Sequence, residues 1–510
     1  MRWVHGLLAV MALVWIAPLW TIPFPPMLDY PQQLAVASIV RWIGDPAWGF
    51  GEAYELALGR PQGLFEMVTA GLAWVMPIDV AGKLVLSLSL AGVLPSAVAL
   101  CRRTGRPDWY ALLALAVTYN HTFYWGFVDS LVAYPLFLGA VALADRLLDA
   151  PFGLRSWLLL AGATALFYTV HLQMLFLLAG AVGWLALVRQ PTVRRLALQL
   201  SALVPGVALG AGVLGWAHLH GEEIMTGFQQ RLRAEPTVLM STGDKVGRMS
   251  GLLFGEYTDG SQALLFTMLL AVLLVLAVRL RYRPEGELGD ILLRTRFATL
   301  TGWVALLYFL LPEYTKGYLV AGRLVPLVVM LAACALPLPS LSRRRAALAL
   351  TLLLLGFQLR LVTDGFRIFA VESAGLDRLL EQAEPGQALA GLLYERRSSV
   401  WGTPEVMAHF PAWYQVYKGG RVLLSFVQFF NAPVRYRPGA NWEDEILARR
   451  VNWFDPYGFD AREAARFRYL LIRGGREHLR DVLGPGVADV RVSSAGRWHL
   501  VDLRPAGKLP

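Results

Sequence analysis

Charge is what this 510-residue sequence has least of. Asp, Glu, Lys and Arg together make up 16%, where a soluble globular chain carries about 25%. With 56% of residues hydrophobic and a mean hydropathy of +0.48, a wholly water-soluble enzyme is excluded. So are a disordered tail and a collagen-like chain. Lysine is nearly missing, 5 against 42 arginines, so the net charge of +10 is an arginine charge. Much of it lies in short clusters between apolar runs, which is how topology charges are placed and not how a nucleic-acid surface is built. Cysteine is scarce too: Cys101 and Cys334 fall in or beside apolar runs, which leaves no disulfide framework to read. Walker loops, HExxH, zinc spacings and fixed-period repeats are all missing. The chain reads as a polytopic membrane protein.

What it has in abundance is long apolar runs. Arg2 precedes the run 3–22, and no small-x-small cleavage site follows, so this reads as an uncleaved first span. Further runs lie near 80–100, 109–123, 128–147, 156–188, 197–216, 262–280, 297–311, 322–338 and 346–362. Beyond them the character changes: 363–510 holds 37 charged residues, against 47 in the much longer stretch before it. That stretch reads as a soluble α/β domain. It has a helical pattern at 376–382, strands at 388–393, 421–426 and 468–472, and alternation on both sides of a Ser/Gly turn in 489–503, the mark of a hairpin. The expected division is a transmembrane domain, 1–362, and an extracytoplasmic domain, 363–510.

Two runs are ambiguous in length. The run 64–76 is short, interrupted by Glu66 and ended by Pro77; runs of about 10–14 residues are more often re-entrant or interfacial than spanning. The run 156–188 would be roughly 50 Å long as one helix, too long for a single crossing. With 64–76 non-spanning and 156–188 a hairpin turning near His171, every arginine cluster falls on one side. These are Arg102/Arg103/Arg106, Arg146/Arg155, Arg189/Arg194/Arg195, Arg279/Arg281/Arg283/Arg294/Arg296 and Arg343/Arg344/Arg345. The expectation is about eleven spans with the N-terminus inside. Outer segments are then 23–79, 120–129, the turn at His171, 217–261, 312–323 and the tail.

The chemically suggestive residues fall on that outer side. Asp29 stands in a Pro-rich loop before an amphipathic helix in which Val36, Ile39, Val40 and Ile43 share a face. It reads either as a reactive acid or as a plain N-cap, with Pro31 a first-turn proline. Asp129 closes an aromatic second loop and is open to the same two readings. His171 is a polar residue in the middle of an apolar run, a functional hypothesis by default, although at a hairpin tip it simply meets water. Lys316 and Arg323 flank the last outer loop, on the side where topology asks for no positive charge, and so suit an anionic ligand such as a lipid phosphate.

The acid after the first span, the second polar loop, the long outer loop after seven spans and the arginine before a late span resemble the GT-C glycosyltransferases. Closer still is the likeness to a group of bacterial GT-C-like membrane proteins. It rests on Asp29-x-Pro31, the Asn120…Gly126-Phe127…Asp129 loop, His171 and Gly322-Arg323-x-x-Pro326, with Gly419-Gly420 and the Gly496-Arg497-Trp498 hairpin in the tail. The likeness covers most of the membrane part. One position departs: where that pattern has a His two residues after the Pro, this chain has Gln33, so a role needing imidazole there is not carried over.

The resemblance implies transfer of a sugar from a polyprenyl-phosphate donor to a glycan, lipid or protein acceptor at the outer face of the bacterial inner membrane. It gives Asp29 the part of general base, Asp129 that of supporting acid, and Arg323, Lys316 and His171 the donor phosphate. Two isolated carboxylates define no metal site, so metal dependence stays open. A lipid or polysaccharide transporter and a non-catalytic envelope assembly protein are the rival readings. Transporters usually put charge near the membrane midplane and often carry internal repeats; neither is visible here.

Overall fold

The structure, a computed structural model, describes residues 2–220, 225–277, 287–315, 318–338, 340–449, 455–457, 459, 461–483 and 490–504. Lys316, Arg279, Arg281 and Arg283 lie outside the described residues.

Apolar runs fold as helices because a helix satisfies its own backbone polar groups in hydrocarbon. The first nine are α1 (Arg2–Trp20), α2 (Tyr30–Trp42), α3 (Leu64–Leu72), α4 (Ile78–Arg103), α5 (Ala111–Ala116), α6 (His121–Trp125), α7 (Val128–Asp149), α8 (Leu154–Val170) and α9 (Leu172–Leu187). Among the described residues α4, α7 and Leu341–Glu372 are long and apolar enough to cross a membrane, and Val193–Ser201 with Val204–Leu219 form a pair bent by 54° that suffices together. Most of the other expected spans are shorter apolar helices: α1 from His5, α8, α9, Ser261–Ala277 and Leu324–Ala335. The fold is thus polytopic and helical, with apolar helices of unequal length among the described residues. At nine residues, α3 is only about 14 Å long, too short to cross.

The expected span 109–123 departs most from expectation. It is broken into a 3-10 turn at Asp108–Tyr110, the six-residue α5, an unwound stretch and the five-residue α6. Polar side chains take over the backbone bonds that the helix gives up. Thr118 Oγ1 donates to the carbonyl of Leu115 (2.9 Å), Asn120 Nδ2 donates to that of Val117 (2.7 Å), and Asn120 Oδ1 accepts from the N–H of Phe123 (3.2 Å). From Tyr110 to Tyr124 the stretch is buried in protein, the setting in which non-helical backbone is tolerated at membrane depth.

The run 156–188 breaks at His171, which is extended (φ −168°, ψ 115°). α8 starts five residues beyond Asp149, and Arg189, just after α9, returns to Asp149 at 2.7 Å. The chain therefore runs out and back. At this end of the bundle the buried Asp145 of α7 collects three arginines: Arg103 (2.8 Å), Arg189 (2.7 Å) and Arg296 (2.7 Å).

The helix Leu341–Glu372 runs through the expected domain boundary at 362/363 into the tail. There Ala388–Leu393 pairs in parallel with Arg421–Val422 on one side and Tyr469–Arg473 on the other. Trp498–Asp502 pairs antiparallel to Tyr469–Arg473, and Arg491–Ala495 closes the five-stranded sheet as a hairpin. Two short antiparallel pairs stitch the tail to the loops of the bundle, Tyr54–Leu56 with Val434–Tyr436 and Glu256–Tyr257 with Trp401–Thr403. A hydrophobic core runs through both parts, and a second one, built mostly from the tail, includes Ala390, Leu392, Leu470, Ile472 and Val501 of the sheet. The aromatic thread of the first leads from Trp15 to Tyr119 (centroids 5.6 Å apart), Phe366 (6.0 Å), then Trp401 (6.2 Å).

Candidate active site

A cavity of about 510 Å³ lies where the bundle meets the tail, at the end away from the Asp145 cluster. The bundle contributes Asp29, Gln33, Glu66, Trp125, Phe127, Asp129 and Arg323 to its walls. The tail contributes Arg397, Glu405, His409, Phe426 and Asn431.

Asp29 holds the N-cap position of α2, but its backbone is helical (φ −85°, ψ −14°) and its side chain makes no capping hydrogen bond. The N–H groups of Gln32 and Gln33 donate to the Asp29 carbonyl instead (3.0 and 3.1 Å), and Pro31 has no N–H to satisfy. The carboxylate lies against the tail, with Oδ1 3.1 Å from Nδ1 of His409. Its backbone is pinned to the second loop: the N–H of Leu28 donates to Tyr124 (2.9 Å) and that of Asp29 to Trp125 (3.0 Å). Gly126 permits this approach. Its φ is +76°, and a Cβ there would come within 2.6 Å of the Asp29 nitrogen.

Asp129 falls inside the first turn of α7, whose N-cap is Phe127, so it does not act as the cap. Its Oδ1 is buried and makes no hydrogen bond to the described residues, and the same holds for Oε2 of Glu66. Burial, with the Asp129 carboxylate nearby, pushes the Glu66 carboxyl well above its ordinary 4.5. Arg323, at the N-cap of Leu324–Ala335, has Nη1 2.9 Å from Nε2 of His171 and its guanidinium carbon 3.9 Å from the centre of the Phe127 ring. Its carbonyl accepts from Tyr134 Oη (2.8 Å), which also meets Thr122 Oγ1 (3.0 Å), tying this helix to the second loop.

Asp29, Asp129 and Arg323 thus share one cavity, and His171 joins it through Arg323. Glu66 and His409 were not expected there. Glu66 was visible in the sequence as a charge in an apolar run, whereas a single His in a charged tail carries no signal. Among the described residues no group of three or more His, Cys, Asp or Glu side chains stands together as a metal ligand set.

A helical bundle with a broken, polar-edged crossing and a cavity under a covering α/β segment defines a polytopic membrane fold. Among solved structures the chain is similar to ArnT from Cupriavidus metallidurans, in its apo-state crystal structure. The TM-score is 0.53 at 13% identity, over 98% of this chain and 97% of that one. At that identity the likeness is one of fold. No family model and no curated protein matches the sequence.

Proposed function

We propose that this protein is a membrane glycosyltransferase that moves a sugar from a polyprenyl-phosphate donor to an acceptor bound in the cavity between bundle and tail. The observation that carries the reading is the convergence of Asp29, Asp129 and Arg323, from three distant stretches of sequence, on that one cavity. Asp29 accepts the proton of the acceptor hydroxyl or amine as its lone pair attacks the anomeric carbon. The new glycosidic bond forms as the bond from that carbon to the phosphate oxygen breaks. Polyprenyl phosphate leaves with the electron pair, and the guanidinium of Arg323 offsets its charge. Lys316 and His171 assist Arg323, and Asp129 orients the acceptor. The arginine-rich end faces the cytoplasm of a bacterial inner membrane and the cavity and tail face outward, as the positive-inside rule requires.

Purified protein in vesicles, given radiolabelled polyprenyl-phosphate hexoses and envelope extract as the acceptor source, should transfer label. Arg323→Gln should raise the donor KM at least ~10-fold or abolish transfer while expression holds. Lipid movement without transfer would favour the transporter reading, and neither activity the assembly reading.

A further inference from the structure

His409 comes from the tail, yet its ring is the nearest neighbour that the structure gives the Asp29 carboxylate. The imidazole is 3% exposed, with Nδ1 3.1 Å from Oδ1 of Asp29. It meets Phe426 edge to face, centroids 5.3 Å apart, and its carbonyl accepts from the N–H of Ala412 at 3.0 Å. The segment around it is tied to α2 through Gln32. Nε2 of that side chain donates to the Leu424 carbonyl (2.8 Å), and Oε1 accepts from the N–H of Phe426 (3.1 Å). The Gln32 side chain thus ties the start of α2 to the segment carrying Phe426, the ring that packs on His409.

An Asp at a helix N-cap ordinarily turns its side chain onto the N–H groups of its own first turn. Asp29 does not, because its backbone carbonyl already serves them and its carboxylate faces His409. We propose that His409 is a positioning residue for Asp29. Its imidazole, with Nδ1 3.1 Å from Oδ1, limits how the carboxylate can turn and leaves the other oxygen for the acceptor's proton. The tail is then part of the reacting site and not only its cover. This inference rests on the transferase reading above.

The test uses the full chain in vesicles, with radiolabelled polyprenyl-phosphate hexoses and envelope extract as the probe. His409→Leu removes the polar ring edge that lies against Oδ1, whereas His409→Asn places an amide nitrogen where Nδ1 was. The Leu variant should lose at least ~10-fold in kcat with the donor KM within about twofold, and the Asn variant should recover most of the loss. Adding Asp29→Asn to His409→Leu should cost nothing beyond Asp29→Asn alone, since the two act as one unit. If the Leu variant does not fold, His409→Gln, whose amide reaches the Nε2 position instead, takes its place and should behave as poorly. Full turnover by folded His409→Leu, with Asp29→Asn inactive, overturns the inference and leaves the transferase reading standing. No transfer by the unaltered protein overturns the reading and the inference together.

Discussion

Asp29 occupies the N-cap position of α2 without using its side chain as a cap, so its replacement separates chemistry from stability. A lost cap costs about 1 kcal/mol, and Asp29→Asn has no such bond to lose. As the general base it should cost at least ~100-fold in turnover with the melting temperature unchanged; near-normal turnover would leave Asp29 a residue of the helix start alone. Glu66 gives a prediction of a different kind. Because burial and the Asp129 carboxylate raise its pKa above 4.5, the folded chain keeps a proton that the unfolded chain has released. Stability is then full below about pH 4.5 and falls as pH rises towards the folded value. Glu66→Gln should flatten that fall, which unfolding midpoints taken between about pH 4 and about pH 8 would reveal. Of these residues, Asp29, Asp129 and Arg323 were legible because each is a charge at the end of an apolar run. His409 was not, because what brings it to Asp29 is the docking of the tail, a tertiary event with no local pattern.

Elements were legible where the physics is local. Alternation on both sides of Gly496 foretells the hairpin of Arg491–Ala495 with Trp498–Asp502, and the length of 156–188 foretells its fold-back at His171. The broken crossing from Asp108 to Trp125 was hidden, because hydropathy counts apolar residues and not whether Thr118 and Asn120 replace backbone bonds. Arginine clusters show the same limit. Three of the arginines read as topology charges, Arg103, Arg189 and Arg296, converge from three elements of the bundle on Asp145, whose side chain is fully buried. That contact clamps α4, α7, the end of α9 and the helix Leu288–Leu310 at one end. Breaking a buried ion pair by removing one partner costs about 3–5 kcal/mol, since the other charge stays uncompensated. Asp145→Asn should therefore lower the unfolding midpoint in detergent markedly, although the residue lies at the opposite end from the cavity. A midpoint unmoved by that change would mean that the arginines find water instead.

For the whole molecule, composition divides the chain at 362/363, and one helix and one hydrophobic cluster reach across that line. The charged tail differs from the bundle in how much solvent it meets, and charge content records only that. What it cannot record is that Trp401 packs on Tyr124 and Phe366 (centroids 4.9 and 6.2 Å away), and Trp413 on Phe24 and Tyr30 (4.9 and 6.1 Å). Both tryptophans are fully buried. Uncovering two such rings exposes roughly 300–500 Å², which at about 25 cal/mol per Å² is at most about 13 kcal/mol. A whole domain has only about 5–15 kcal/mol of stability, so the tail without the bundle has little or none left. The intact chain in detergent should then unfold in one transition seen alike by tryptophan fluorescence and by helical circular dichroism. Residues 363–510 expressed alone should show no cooperative transition and should bind a hydrophobic dye. A sharp melt of the isolated segment would restore the boundary that composition suggests. It would also weaken the case that the tail and the first loop build the cavity as one body.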